Sequence, residues 1–535
     1  MNLRVSYADV AVGAKEAFTP SVTGTTADSN PALLKGDTVA IWGNPCEIYS
    51  VLLDGSMQIA PDDAAYALVS NELSGEGDGS FTTAPALTVT ASGQYTSQGV
   101  TLIFDEMANR YASAVNIVWY RGTTQLASKN FIPDSANYFC ANKVENYNKL
   151  VITFSKLNMP KNRLYLTGII FGTVRNFGRN ELENFSLLQE LEPISETVSI
   201  NTVDFTLKKQ SDVDFIFQDK QPIYTYFDDT LVQTTFITHY ERNSDKSYDI
   251  QSEDWVSILD DSPFDGGIYS SKNADTLIGE ILTPLGAEYE LATVLQTATV
   301  TGYIPICSCR EALNQVAFAL GAVVDTSYSS KIKIYTLPDE VSGTLNKTNT
   351  FTGQTTTFRD KLTELRLTAY SYAEGTESMT AYKAADSGTG NGITVEFSEP
   401  LHTLSITNGT IVSSNANKAV INASANCVLT GKKYDKTQSV ITKRNPLVLA
   451  GDKENVAELK DFTLVNRTNA DALAAAAYNY YSARREISEK ILSGDLRVGE
   501  KVTQEYDYMD NVTGRLVSMK FNVSGAAKAA EVKIR

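Results

Sequence analysis

The 535-residue sequence predicts a mainly β, multidomain protein with small α+β inserts. Three observations carry that expectation. Aromatic residues make up 10%, chiefly 27 Tyr and 21 Phe, types that favour strands. Short segments of alternating apolar and polar residues recur with polar turns between them. Helix signals are sparse, and the clearest set lies in one stretch, Gly302 to Leu337. At roughly 100–200 residues per domain, the length allows about three to five domains.

Residues 1–65 are strand-poor by pattern, with turn clusters at Ala27 to Pro31 and Trp42 to Pro45, and read as an arm or a lead-in. The Gly-rich loop Ser74 to Ser80 lacks the Lys-Ser/Thr and the strand–helix setting of a phosphate cradle. It reads as a flexible turn, with Glu76 or Asp78 as the only calcium ligands to weigh there. From about 66 to 180, strands follow at intervals: Val100, Leu102 and Phe104 alternate, as do Val115, Ile117 and Trp119. Ile152 and Phe154 share a face of the next strand, and Leu164, Leu166 and Ile170 follow. This pattern predicts a β-sandwich over 66–185 with Trp119 in its core, and Tyr120 and Arg121 as exposed side chains at most.

Glu181 to Ser199, acidic and broken by Pro193, reads as a linker. A first later β block spans 200–262, with hairpin turns at Asp228-Asp229 and at Asn243 to Asp245. Ser270 to Leu282 begins a helix with Leu277, Ile278 and Ile281 on one side, opening an α+β insert over 263–340. In its second half, Ser308 and Glu311 form a capping box, and Leu313, Val316, Ala317 and Leu320 make one helical stripe. Gly321 ends that helix, and two strands flank the turn Tyr328 to Ser330. Residues 339–358 read as a Thr-, Ser- and Gly-rich loop, and strands return within 341–535. The last long helix runs from Ala470 to about Arg485 with Asn469 as N-cap and Leu473, Ala476, Ala477, Tyr480, Tyr481 and Arg484 along one side.

Composition excludes several classes. Lys plus Arg total 46 against 63 acidic residues, a net charge of -17, which opposes sequence-specific nucleic-acid binding. Solubility is the plain use of that charge. The five cysteines, an odd and sparse set, predict free thiols, and Cys307-x-Cys309 has no second pair to complete a zinc site. The amino terminus lacks the apolar core of a secretory signal, and the longest apolar run, Leu164 to Val174, is too short to span a bilayer, so no membrane insertion is expected. Only His239 and His402 are present, no H-E-x-x-H, G-x-S-x-G or P-loop occurs, and no catalytic, metal or cofactor residue is assigned.

Two resemblances add to this reading. Ser97 to Asp105 (SQGVTLIFD), Val115 to Gly122 (VNIVWYRG) and Arg163 to Gly172 (RLYLTGIIFG) resemble the galactose-binding-like, discoidin-type jelly roll. That resemblance implies ligands, a host cell-wall saccharide among them, in loops at one end. Residues 200–535 resemble a baseplate hub protein of tailed phages and related contractile injection systems. The match lies in the paired hairpins before Asp260, the helix entry GGIYSSKNADTLIGEIL, the module CREALNQVAFALGAVVDTSYSSKIKIY, YYSARR (Tyr480 to Arg485) and the ending from Gly514 to Arg535. It implies two tube-like β-barrel domains with a small helical insert, and a homotrimer at the virion tail tip. Such a trimer joins a tail tube or distal tail protein on one side to a spike or tip protein on the other. Two readings stand: a structural hub around the ejection channel, and a receptor- or carbohydrate-binding tail component acting through the jelly roll.

Overall fold

Strand dominates the chain, as the alternation requires. The computed structural model describes residues 2–22, 27–29, 43–45, 59–61, 68–106, 108–194, 198–208, 220–244, 246–506, 510–522 and 528–535. Asn30, Pro31, Trp42, Cys46 and Asp245, named in the turn and cysteine readings above, lie outside them. The lead-in is not strand-poor throughout, because Leu3–Val10 is an eight-residue strand with Leu3, Val5 and Tyr7 buried. Its burial on both faces hides the alternation that a one-sided strand displays.

The chain divides into two compact units. One comprises Val5–Phe177 with Lys209–Ile223. Its main sheet runs, in order, Ala27–Ser29, Leu68–Ser70, Tyr165–Ile170, Ala86–Phe104, Asn137–Leu157, Ala112–Arg121 and Thr124–Phe131, with Thr19–Val22 also on Ala86–Phe104. Two of these strands are long, 19 and 21 residues, and their pairing passes through register shifts between Ala141 and Lys149. Bulges of this kind let a long strand bend over a core. That core holds Val100, Leu102, Phe104, Val115, Ile117, Trp119, Ile152, Phe154, Leu164 and Leu166, all as the alternation predicts. Ile170 is only partly buried.

The other unit comprises Met1–Arg4, Gly178–Lys208 and Tyr224–Arg535. Its largest sheet runs Pro222–Phe227, Thr230–Ser244, Ser247–Glu253, Thr202–Lys208, Leu182–Glu190, Val512–Asn522, Ala529–Ile534, Arg485–Leu492 and Thr355–Phe358. The turn Asp228-Asp229 has positive φ at both residues, 48° and 64°, the hairpin geometry expected there. Two expectations fail in this sheet. Leu182–Glu190 is no linker but a strand between Thr202–Lys208 and Val512–Asn522, its alternation masked by an irregularity between Glu183 and Ser186. Thr355–Phe358, placed in a loop, is the outer strand, and Val341–Leu345 is a second strand in that stretch. Thr-rich, exposed strands lack the apolar rhythm that marks a half-buried one, although Thr itself favours extended backbone.

The capping box and the helix it opens form as read. Ser308 Oγ accepts the Glu311 N–H at 3.1 Å, and a Glu311 carboxylate oxygen accepts the Ser308 N–H at 3.1 Å. The helix Cys309–Ala319 buries Leu313, Val316 and Ala317, and Gly321 follows it at φ 64°. Val323–Asp325 and Ile332–Tyr335 pair antiparallel, with Tyr289–Leu291 added in parallel. Gly267–Asn273 is a strand, so the preceding helix starts at Ala274, capped by Asn273. In the late helix Ala470–Ser482 the buried stripe is Ala470, Leu473, Ala474 and Ala477, while Ala476 is exposed. Asn469 makes no side-chain cap; its amide donates to the Ala319 carbonyl and accepts from the Asn466 N–H. A further sheet, Gly390–Glu396, Lys418–Arg444, Glu364–Lys383 and Val456–Leu459 with Leu401–Ser414, lies between the insert and that helix in sequence.

One buried carboxylate ties the insert to the large sheet. Asp254 Oδ2 accepts the Thr326 hydroxyl at 2.5 Å and the Asn201 N–H at 3.1 Å, and Oδ1 caps the helix Trp255–Asp260 through the Val256 N–H at 3.0 Å. Removing it strands three donors, at about 1–3 kcal/mol each where they stay dry. Asp254→Ala is therefore expected to cost about 3 kcal/mol or more, against about 1 kcal/mol for the cap variant Ser308→Ala. Urea midpoints of the two variants at neutral pH check the order.

Candidate functional site

The side chains singled out by sequence do not converge. His239 is exposed on Thr230–Ser244. His402 is nearly buried: its Nε2–H donates to the Gly375 carbonyl oxygen at 3.2 Å, and Nδ1 lies 2.9 Å from Thr403 Oγ1 and 3.9 Å from a Glu374 carboxylate oxygen. Both ring nitrogens are thus engaged, and neither is poised as a base. Cys307 and Cys309 flank the helix start as free thiols, and burial pushes Cys307 up to about 12. A thiol so displaced is inert at neutral pH. Glu76 faces Lys161 at 2.7 Å, and Asp78 faces Lys156 at 3.1 Å while Ser80 donates to it, which holds Asp78 down at about 2. Both carboxylates are paired with lysine ammonium groups. Trp119 is fully buried against Phe131, and Arg121 donates to the backbone carbonyls of Asn146 and Glu145.

What the fold does assemble is a broad polar face on the large sheet. In Thr202–Lys208, Val203, Phe205 and Leu207 face the core, so Thr202, Asp204, Thr206 and Lys208 face out. Register carries that face across the sheet. Asp204 stands opposite Gln251 and Ser186; Thr206 opposite Asp249 and Glu183; Thr202 opposite Glu253 and Leu188. On the next strand Asp249 stands opposite Glu241, and Gln251 opposite His239. This half of the face therefore holds Glu183, Glu190, Asp204, Glu241, Asp249 and Glu253 against Lys208.

The other half is different. Ser186 meets Asn522, and Leu188 meets Lys520, which stands opposite Glu531; Glu531 stands opposite Lys490, and Lys533 opposite Ser488. Lys490, Lys520 and Lys533 nearly balance Glu486 and Glu531 there. The net negative charge of this face therefore lies in the first half.

Local chemistry follows this placement. Burial, and then the neighbouring Glu253 carboxylate, raise Asp204 above the usual range, while Lys520 across the seam opposes the rise. Asp249 moves the other way because Thr206 Oγ1 donates to it at 2.6 Å and Asn243 donates as well. Lys208 pairs with Glu183 at 2.8 Å on the exposed surface. The sequence contained the alternation of each strand but not the register that sums them. A one-residue slip would have sent every carboxylate to the core.

No family model matches the sequence, and no curated protein matches it significantly. Among solved structures, a tail protein from Neisseria meningitidis is similar at 9% identity and a TM-score of 0.44, covering 67% of this chain and 93% of that one. A 43 kDa tail protein of prophage MuSo2 from Shewanella oneidensis is similar at 11% identity and 0.43, covering 68% and 95%. A prophage tail protein from Listeria monocytogenes is similar at 11% and 0.41, covering 67% and 90%.

The crowding of Asp204 by Glu253 has a measurable consequence. Asp204→Asn removes a half-buried like charge and is expected to stabilise the chain by about 0.5 kcal/mol at pH 7 and low salt. The gain should shrink at 0.5 M salt, where screening is short-ranged. Urea unfolding at both ionic strengths checks it.

Proposed function

We propose that the chain is a structural protein of the tail of a phage or phage-like particle, its baseplate hub, acting as a homotrimer between tube and tip. The observation that carries this reading is the seam between Leu182–Glu190 and Val512–Asn522. Through it the first and last β blocks lie side by side in one antiparallel sheet, apolar on the core face and polar on the other.

Two such blocks per chain give a trimer six wall segments, which is what adapts a sixfold tube to a threefold tip. Closed cyclic symmetry is the common solution for a self-associating soluble chain. On this reading the polar face lines the channel. Its eight carboxylates outnumber its four lysines, so the wall repels phosphate at close range, within the roughly 8 Å that physiological salt allows. Because the charge sits on the first block, the six segments would alternate between acidic and near-neutral. A tube or distal tail protein on one side and a spike or tip protein on the other are the partners this geometry would serve.

Electron cryomicroscopy of the parent particle tests the proposal. Three copies at the tail tip, with Asp204, Asp249 and Glu253 on the axial wall, are expected. Six copies, one copy, or a location on the particle's outer surface would overturn it.

A further inference from the structure

The strand Arg485–Leu492 turns Ile487, Glu489 and Ile491 to the core and Ser488 and Lys490 outward. Glu489 is 6% exposed, an acid in an otherwise apolar row. Opposite it stands Val532, flanked on the same strand by buried Ala530 and Ile534. Val512–Asn522 brings Leu516, Met519 and Phe521 to that core, and Lys501–Gln504 brings Val502 and Gln504. On its other side Gln354, just before the outer strand Thr355–Phe358, donates to Glu489 Oε2 at 3.3 Å and to the Tyr506 hydroxyl oxygen at 3.1 Å. Glu489 Oε1 has no hydrogen-bond partner among the described residues, and neither has Gln504 Oε1.

Among the described residues, charged groups leave this acid alone. Lys490, Glu531 and Lys533 are on the opposite face of the sheet, and Glu505 is exposed, where it accepts from Asn346 Nδ2 at 3.3 Å. Among the described residues, the titratable group on its own side is Tyr506, reached through Gln354. An ionised carboxylate held by one long bond in apolar surroundings carries a large desolvation cost. A proton on Oε1 removes the charge and makes a donor of an orphaned acceptor.

We propose that Glu489 is a proton-binding site, neutral in the closed fold, that links the hold on the outer strand Thr355–Phe358 to solution pH. That strand pairs only with Arg485–Leu492 among the described residues, and Gln354 fastens its leading end to Glu489. Burial alone raises the carboxyl from 4.5 to about 7. The sign follows: between these values the closed form keeps a proton that an opened, hydrated form has released. The hold is therefore full below pH 4.5, weakens as pH rises through about 7, and is level above.

Amide hydrogen exchange on the full chain tests this, with rates normalised for intrinsic pH dependence. From pH 5.5 to 8.5, opening of residues 351–358 and 485–492 should rise about 30-fold in the wild type. In Glu489→Gln the rise specific to this carboxyl should vanish, with opening at the level the wild type reaches only below pH 4.5, about 10-fold under its pH 5.5 value. An unchanged rise in the variant would overturn the proposal. If the variant does not fold, the ¹³C carboxyl resonance of Glu489 in the wild type decides: a midpoint near 7 supports the site, and one near 4.5 refutes it.

Discussion

The carboxylate of Asp254 is the point on which the larger unit depends. It is fully buried, and burial raises it to about 7 against the pull of its three bonds. All three bonds are donated to it, so they satisfy the ionised form, with no acceptor among them for a carboxyl proton. Its partners come from three places in the chain: the lead into Thr202–Lys208, the helix it caps, and Thr326 in the α+β insert. The Asn201 side chain extends the node, donating to Thr326 Oγ1 at 2.9 Å and accepting the Glu190 N–H at 2.8 Å. Gln189, beside Glu190, donates to Gln233 Oε1 at 3.0 Å. A run of buried polar groups thus fixes where the insert stands on the sheet, a specificity that apolar packing alone would leave loose.

Packing completes what that node begins. The insert's core joins Leu277, Ile278 and Ile281 from one helix to Leu313 and Val316 from the next. Phe318 stacks on Phe462 at 3.7 Å, binding the insert to the cluster around Leu365, Leu367, Leu473 and Ala477. The large sheet is then free to leave one face uncovered, because its support comes from the core side. The charges of that uncovered face cost little while solvated.

Local signals were legible in the sequence, and long-range ones were not. The capping box of Ser308 and Glu311, the helix stop at Gly321 and the hairpin at Asp228-Asp229 each depend on residues within a few positions, so spacing revealed them. Trp119 and its companions were legible because their strands bury one face. Leu182–Glu190 was lost because its partner Val512–Asn522 is remote and its outward glutamates imitate a linker. Thr355–Phe358 was lost because all four residues are exposed. Glu489 could have been found: its alternation with Ile487 and Ile491 already sends it inward. The acidic face could not, since it exists only after several strands are set in register.

The seam between the first and last β blocks also bears on how the chain is made. Gln189 pairs with Met519, so the strand Leu182–Glu190 emerges some 330 residues before its partner. At about 5–20 residues per second, a ribosome takes roughly 15–65 s to deliver that partner. Through that interval the first block presents a row of unpaired backbone donors and acceptors, the kind of edge that recruits the wrong strand. Glu183 and Glu190 lie along it, and their like charge on every nascent copy disfavours pairing between ribosomes.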